Sequence, residues 1–213
     1  MGKLGVLIVD DHAVVRMGLR AILNRETRFE VVGEAADGVD ACAQAERLHP
    51  QVVIMDVSMP TLNGADATRE LLKVSPASSV IALTVYDEPA YVRELLAAGA
   101  RGYVLKRAVI EQLVRAIQVV TEGGLFVDPT LTKRPRPRAA SDEAVPAADL
   151  TSREIEVASM TALGHSNAEI AVALRIAVKT VETHKTRLMA KLGLHTRAQL
   201  VRFAIYRGWL ASR

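Results

Sequence analysis

The chain has almost no cysteine. Cys42 stands alone among 213 residues, so no internal disulfide can form, which suits a reducing compartment. Placed in an alanine-rich helical stretch, it reads as a small core residue. Long hydrophobic runs are missing too. No segment approaches the roughly 18 apolar residues that cross a bilayer, and the N-terminus lacks the basic, apolar and small-residue succession of a secretory leader. The expectation is a soluble, cytoplasmic protein with no membrane partner. Neither sign of charge dominates, because 27 Lys and Arg meet 24 Asp and Glu for a net of +3. That balance hides a division. Residues 1–132 hold 13 basic against 17 acidic side chains, whereas residues 150–213 hold ten against four. An acidic front and a basic back suggest different partners, with nucleic acid the candidate for the basic end.

Residues 133–149, KRPRPRAASDEAVPAAD, have no apolar periodicity. Three prolines, several alanines and mixed charge cannot build a core, and each proline forbids helix at its own position and disfavours it just before. The spacing predicts a first domain over 1–132, a linker over 133–149 and a second domain over 150–213. In the first, short apolar runs at 5–10, 29–35, 52–56, 80–84 and 102–105 alternate with helical patterns at 12–23, 38–48, 64–74, 88–99 and 109–123. Runs that are rich in branched residues and lack clean alternation suit strands buried on both faces. Five such units in series predict a doubly wound, five-stranded parallel sheet of α/β class. The second domain lacks strand signals. Helical patterns at 152–163, 167–174, 178–192 and 196–208 predict four short helices, with Thr151 and Asn167 as N-caps and Gly164 and Gly193 as stops.

A parallel sheet brings its strand ends to one edge, the usual place for a site in open α/β folds. Here those ends carry Asp10 and Asp11, then Asp56, Thr84 and Lys106. Three carboxylates held together repel one another at neutral pH. A divalent cation relieves this, and Mg²⁺ is the hard, water-retaining ion that commonly bridges carboxylates to phosphate. Asp56, on the middle strand, is the natural nucleophile for an aspartyl phosphate. Asp10 and Asp11 would hold the metal directly or through water, Lys106 would neutralise phosphate oxygens, and Thr84 would offer them a hydroxyl.

The segments 8-IVDDH-12, 54-IMDVSMP-60, 83-LTVYD-87 and 103-YVLK-106 together resemble a bacterial response-regulator receiver domain across the whole front of the chain. The resemblance implies a flavodoxin-like sheet of order 2-1-3-4-5 and phosphorylation of Asp56 by a sensor histidine kinase. It also implies Mg²⁺ held by Asp10, Asp11, Asp56 and the backbone carbonyl of Ser58. Thr84 and Tyr103 would move when phosphate arrives, and Ser58 and Tyr86 would tune the lifetime of the phosphoryl group. Val85 departs from the pattern, which commonly has Ala, Gly or Ser after the switch threonine.

Within 178–192, a pitch of 100° per residue gathers Val181, Leu188 and Leu192 on one stripe, with His184 at its margin. Lys179, Glu182, Thr183, Thr186, Arg187 and Ala190 fall opposite. A face of small, threonyl and basic residues suits the major groove of DNA. Residues 150–201 closely resemble a LuxR-type helix-turn-helix domain, and the two domains together resemble a NarL/FixJ-type response regulator. By that resemblance 178–192 is the recognition helix, and Lys179, Thr180, Glu182, Thr183, Lys185, Thr186, Arg187 and Lys191 are its candidate contacts to double-stranded DNA. The helix over 196–208 would pair two copies into a homodimer. Arg175 stands where glycine is usual in the turn before the recognition helix, so a left-handed residue there would be strained.

The whole reads as a phosphorylation-controlled transcription factor with at most slow self-phosphorylation and self-dephosphorylation. A competing reading is a Mg²⁺-dependent phosphohydrolase of the haloacid-dehalogenase type. Those enzymes carry an acid/base Asp two residues after the nucleophile, where this chain has Ser58. A third reading is a regulator whose receiver dimerises without needing phosphate.

Overall fold

A computed structural model describes residues 2–132 and 150–210. The predicted linker, 133–149, lies outside the described residues. The chain divides into two compact units.

The first unit is a parallel sheet wrapped by helices. Its elements are β1 (Leu4–Val9), α1 (Ala13–Leu23), β2 (Phe29–Ala35), α2 (Gly38–Leu48), β3 (Val52–Asp56), α3 (Gly64–Val74), β4 (Ser79–Thr84), α4 (Pro89–Ala97), β5 (Gly102–Leu105), α5 (Val109–Thr121), β6 (Phe126–Val127) and α6 (Pro129–Thr132). The strand order is β2-β1-β3-β4-β5-β6. Five strands take the order expected. The sixth, two residues long and parallel to β5, extends the sheet beyond the five read from sequence. Two residues are too few to show a period, and they follow Gly123-Gly124, so no pattern marks them.

The period of two along each strand sorts the core into two layers. Val6, Ile8, Val52, Ile54 and Val104 pack with Leu19 and Leu23 of α1 and with Leu113, Ile117 and Val120 of α5. Leu7, Val9, Val53, Met55 and Val80 pack with Ala41 and Ala45 of α2 and with Ala67 and Leu71 of α3. Both faces are covered, which is why the inner strands β1, β3 and β4 are almost entirely apolar and buried.

The second unit is helical: α7 (Ser152–Leu163), α8 (Asn167–Leu174), α9 (Val178–Leu192) and α10 (Arg197–Tyr206). Thr151 caps α7 in a reciprocal box with Glu154. The cap of α8 is Ser166, boxed with Glu169, and not Asn167, which is the first helical residue. Asn167 instead accepts a hydrogen bond from Lys185 Nζ at 2.9 Å. Gly164 and Gly193 end α7 and α9 in the left-handed conformation. Arg175 ends α8 at φ +53°. A side chain bearing Cβ there costs about 1–2 kcal/mol relative to glycine, and the Arg153 guanidinium steadies the turn by donating to the Leu174 carbonyl.

Candidate functional site

Sheet register assembles the carboxyl edge. Val9 pairs with Met55, so Asp10 and Asp56, one residue further along, lie side by side. Asp10 shares the parity of Val6 and Ile8, Asp56 that of Val52 and Ile54, and Lys106 that of Val104. All three therefore belong to the α1/α5 side of the sheet. Thr84 and Tyr103 have the opposite parity. One edge thus carries an ionic set on one side and a hydroxyl pair on the other.

The ionic set is dense. Asp10 and Asp56 are buried. Lys106 Nζ lies 2.7 Å from Asp10 Oδ2 and 3.0 Å from Asp56 Oδ2. The His12 amide donates to Asp10 Oδ1 at 2.9 Å, and the Ser58 amide donates to Asp56 Oδ1 at 3.2 Å. Asp11 does not cap α1. It pairs with His12 Nδ1 at 2.6 Å, and α1 has no side-chain cap bond. Burial pushes the Asp56 carboxyl above the ordinary carboxylate range. The Lys106 ammonium pulls it back and Asp10 pushes it up again. Burial would lower Lys106, but its bond to Asp10 and the charge of Asp56 outweigh that and hold it above the usual lysine value.

This set fits a divalent cation. Ligand atoms of Asp10, Asp11, His12 and Asp56 all lie within 4.8 Å of one another. Asp56 Oδ2 is buried, and its partner among the described residues is the Lys106 ammonium at 3.0 Å. One ammonium among three carboxylates leaves negative charge uncompensated, and oxygen donors suit a hard ion.

Gly64 sets the loop that follows Asp56. A Cβ at that position would sit 2.7 Å from Val57 Cα and 2.8 Å from the Asp56 carbonyl oxygen. The loop also holds Thr61 at φ +71°, an outlier for a β-branched residue.

On the other parity, Thr84 Oγ1 accepts from the Tyr86 amide at 3.0 Å, and the Tyr103 hydroxyl donates to the Tyr86 carbonyl at 2.8 Å. Tyr86 stacks on Tyr91, centroids 4.2 Å apart. Tyr103 is buried, so its ring lies inside the unit. Val85 is 62% exposed.

Two features of this edge escape the sequence reading. Arg16 Nη1 donates to the Asp10 carbonyl at 2.7 Å. Asp128, fully buried, accepts from the Leu105 amide at 3.2 Å and from the amide and hydroxyl of Thr130 at 2.9 and 2.8 Å. It thereby ties α6 to the strand residue before Lys106.

In the second unit, Val181, Leu188 and Leu192 of α9 are buried and His184 is half-buried, as the periodicity predicts. Lys179, Thr180, Glu182, Thr183, Thr186 and Arg187 are exposed. Thr183 and Thr186 donate their hydroxyls to the carbonyls of Lys179 and Glu182, and Lys179 pairs with Glu182 at 3.1 Å. Two of the expected contacts face elsewhere. Lys185 Nζ is held by Asn167, and Lys191 Nζ lies 2.7 Å from buried Glu154. These lysines fasten α9 to α8 and to α7, because each lies on the flank of the buried stripe. Burial alone would raise the Glu154 carboxyl, but Lys191 and the Thr151 amide outweigh it and hold it below the usual range.

An acidic edge on a doubly wound sheet, joined in one chain to a helix-turn-helix with an open basic face, defines a class of signal-responsive, DNA-binding regulators. Residues 6–118 match the response regulator receiver domain, and residues 148–204 match the luxR family of bacterial regulatory proteins. The chain belongs to the response regulators that join a receiver to a LuxR-type DNA-binding domain. It is 40% identical over 208 residues to the oxygen regulatory protein NreC of Staphylococcus carnosus, covering 94% of this chain and 96% of the relative. It is 36% identical to the transcriptional regulatory protein DegU of Brevibacillus brevis, with 99% and 97% covered. Among solved structures it is similar to RcsB of Salmonella enterica serovar Typhimurium bound to a promoter in the presence of the phosphomimetic BeF₃⁻. That similarity has a TM-score of 0.80 at 28% identity and covers 97% of this chain and 100% of that one. No helix among the described residues is long and apolar enough to cross a membrane.

Proposed function

We propose that Asp56 accepts a phosphoryl group from a sensor histidine kinase and that this modification controls DNA binding by α9. The observation that supports it most is the pre-assembled edge. Asp56 is buried, its Oδ2 lies 3.0 Å from the Lys106 ammonium, and two further carboxylates lie beside it. Asp10, Asp11, Asp56 and the Ser58 carbonyl would hold Mg²⁺, which shields the attacking carboxylate from its neighbours and draws charge from the phosphate. Lys106 lies on the correct side to take a phosphoryl oxygen. Thr84, whose hydroxyl accepts from Tyr86 in this state, would turn to another. Tyr103 is tied to the Tyr86 carbonyl, so a shift of Thr84 loosens or moves both aromatic residues. Phosphate contacts made in only one state shift the population in this way.

Ser58 and Tyr86, by their positions after Asp56 and Thr84, would set the phosphoryl lifetime. With a serine two residues after Asp56 and no carboxylate, self-dephosphorylation is slow, so the chain signals rather than turning over substrate. In α9, Lys179, Thr180, Glu182, Thr183, Thr186 and Arg187 would meet DNA. The back-bonded threonines would present methyl groups to the groove and Arg187 would reach a phosphate or a base edge. Lys185 and Lys191 act in packing. The working division is receiver 1–132, linker 133–149 and DNA-binding domain 150–213, acting in the cytoplasm, with pairing through α10 when active.

Selection of bound duplexes from a random pool, under phosphorylating conditions, tests this reading. The expected result is enrichment of a defined sequence by wild type and much weaker enrichment by Asp56→Ala. If no sequence enriches, α9 does not read DNA. If both proteins enrich equally, phosphate does not control binding, which would favour a receiver that only dimerises.

A further inference from the structure

We infer that Arg16 is a positioning residue for the divalent-cation site, an inference that rests on the Mg²⁺ reading above. Arg16 lies on α1, and its side chain is only 19% exposed. Its guanidinium fork is divided between two acceptors. Nη1 donates to the Asp10 carbonyl at 2.7 Å and Nε donates to Glu34 Oε2 at 3.2 Å. Glu34 belongs to β2, opposite Ile8 of β1. Its second oxygen takes Arg20 Nη2 at 2.5 Å, and its backbone carbonyl accepts from Gln44 of α2 at 2.6 Å. Among the described residues Arg16 alone reaches the Asp10 carbonyl, and Glu34, itself held by Arg20 and Gln44, anchors its other end.

That oxygen belongs to the peptide joining Asp10 to Asp11. Rotation of this peptide swings the Asp11 carboxylate relative to that of Asp10. The Asp10 carboxylate is already fixed by Lys106 and by the His12 amide. Arg16 fixes the carbonyl, so the peptide plane is restrained and both carboxylates keep their place in the cluster, within 4.8 Å of an Asp56 oxygen. The guanidinium also adds a second positive charge beside the acidic set without occupying a carboxylate oxygen there. A cation entering the site would meet ligands already in place. Lysine cannot reproduce the arrangement, because an ammonium on a flexible stem lacks the planar fork that spans two acceptors.

Outer partners of metal ligands typically contribute 10- to 100-fold in affinity. The test is calorimetric titration of the full-length chain with MgCl₂ alone, for wild type, Arg16→Met, Arg16→Lys, Glu34→Gln and Asp11→Asn. Thermal unfolding of each variant reports whether it is folded. The expected result is a loss of about 10-fold in Mg²⁺ affinity for Arg16→Met, a partial recovery for Arg16→Lys and a smaller loss for Glu34→Gln. Mg²⁺ affinity within twofold of wild type for folded Arg16→Met, or for Arg16→Lys should the methionine variant not fold, would overturn the inference alone. A wild type whose Mg²⁺ binding is absent or unchanged by Asp11→Asn would overturn the metal-site reading and this inference with it.

Discussion

The carboxyl edge of the sheet and the exposed face of α9 both carry charge, but in opposite physical regimes. At the edge, Asp10 and Asp56 are buried and both are paired with the Lys106 ammonium. On α9, Lys179 is 88% exposed in side chain and its pair with Glu182 is screened by water. A buried charge cannot be removed without leaving its partners unpaired. An exposed one can, at little cost to the fold. By that difference the edge is expected to respond to substitution as a unit, and the helix face residue by residue.

Substitutions should expose that contrast, and the largest effects belong to the edge. Asp56→Asn is expected to abolish phosphate uptake from acetyl phosphate, measured by separation of phosphorylated chain on an affinity gel. A variant that still gains a phosphoryl group would place the acceptor elsewhere. Next comes the join between α7 and α9. Lys191→Met leaves buried Glu154 with only its Thr151 donors among the described partners and no ion partner, and should lower the stability of the second unit by about 1–3 kcal/mol, followed by chemical unfolding. The Glu154 carboxyl is held below its ordinary value of 4.5. Its contribution is therefore complete above that value and is lost as pH falls through the lower, folded value. Wild type should lose stability across that acid range, and Glu154→Gln should show a flatter profile there.

Smaller effects belong to the exposed helix. Arg187→Ala should weaken DNA binding and reduce the salt slope by about 1, with stability unchanged. An unchanged slope would remove Arg187 from the phosphate contacts. Smallest of all is Arg175→Gly, which relieves a left-handed residue and should stabilise the second unit by about 0.5–1 kcal/mol. A loss of stability would mean that the arginine side chain contributes more than its backbone costs.

Much of this was legible from sequence, for identifiable reasons. The runs 52–56 and 80–84 are apolar on both faces, which only a covered parallel sheet requires, and their ends bring Asp56 and Thr84 to one edge. The α9 stripe of Val181, Leu188 and Leu192 follows from helical pitch alone. What escaped depended on three-dimensional reach. Arg16 meets Asp10 across a turn and Glu34 across a strand, and the one usable hint was the parallel register that sets Glu34 beside Ile8. Lys185 and Lys191 were expected at DNA because they lie on the helix that resembles a recognition helix. Their direction is decided by Asn167 and Glu154 on neighbouring helices. Strand β6 is too short to have a period, and the left-handed Thr61 has no local sequence marker.

Phosphate on Asp56 is proposed to change how α9 meets DNA. The most direct measurement is fluorescence anisotropy of a labelled duplex carrying the selected sequence, titrated with wild type and Asp56→Asn, with and without Mg²⁺ and acetyl phosphate. The expected result is at least tenfold tighter binding by wild type when both reagents are present, and no change for Asp56→Asn. Equal affinities for wild type with and without phosphate donor would contradict the claim, and so would an equal gain in the Asp56→Asn protein.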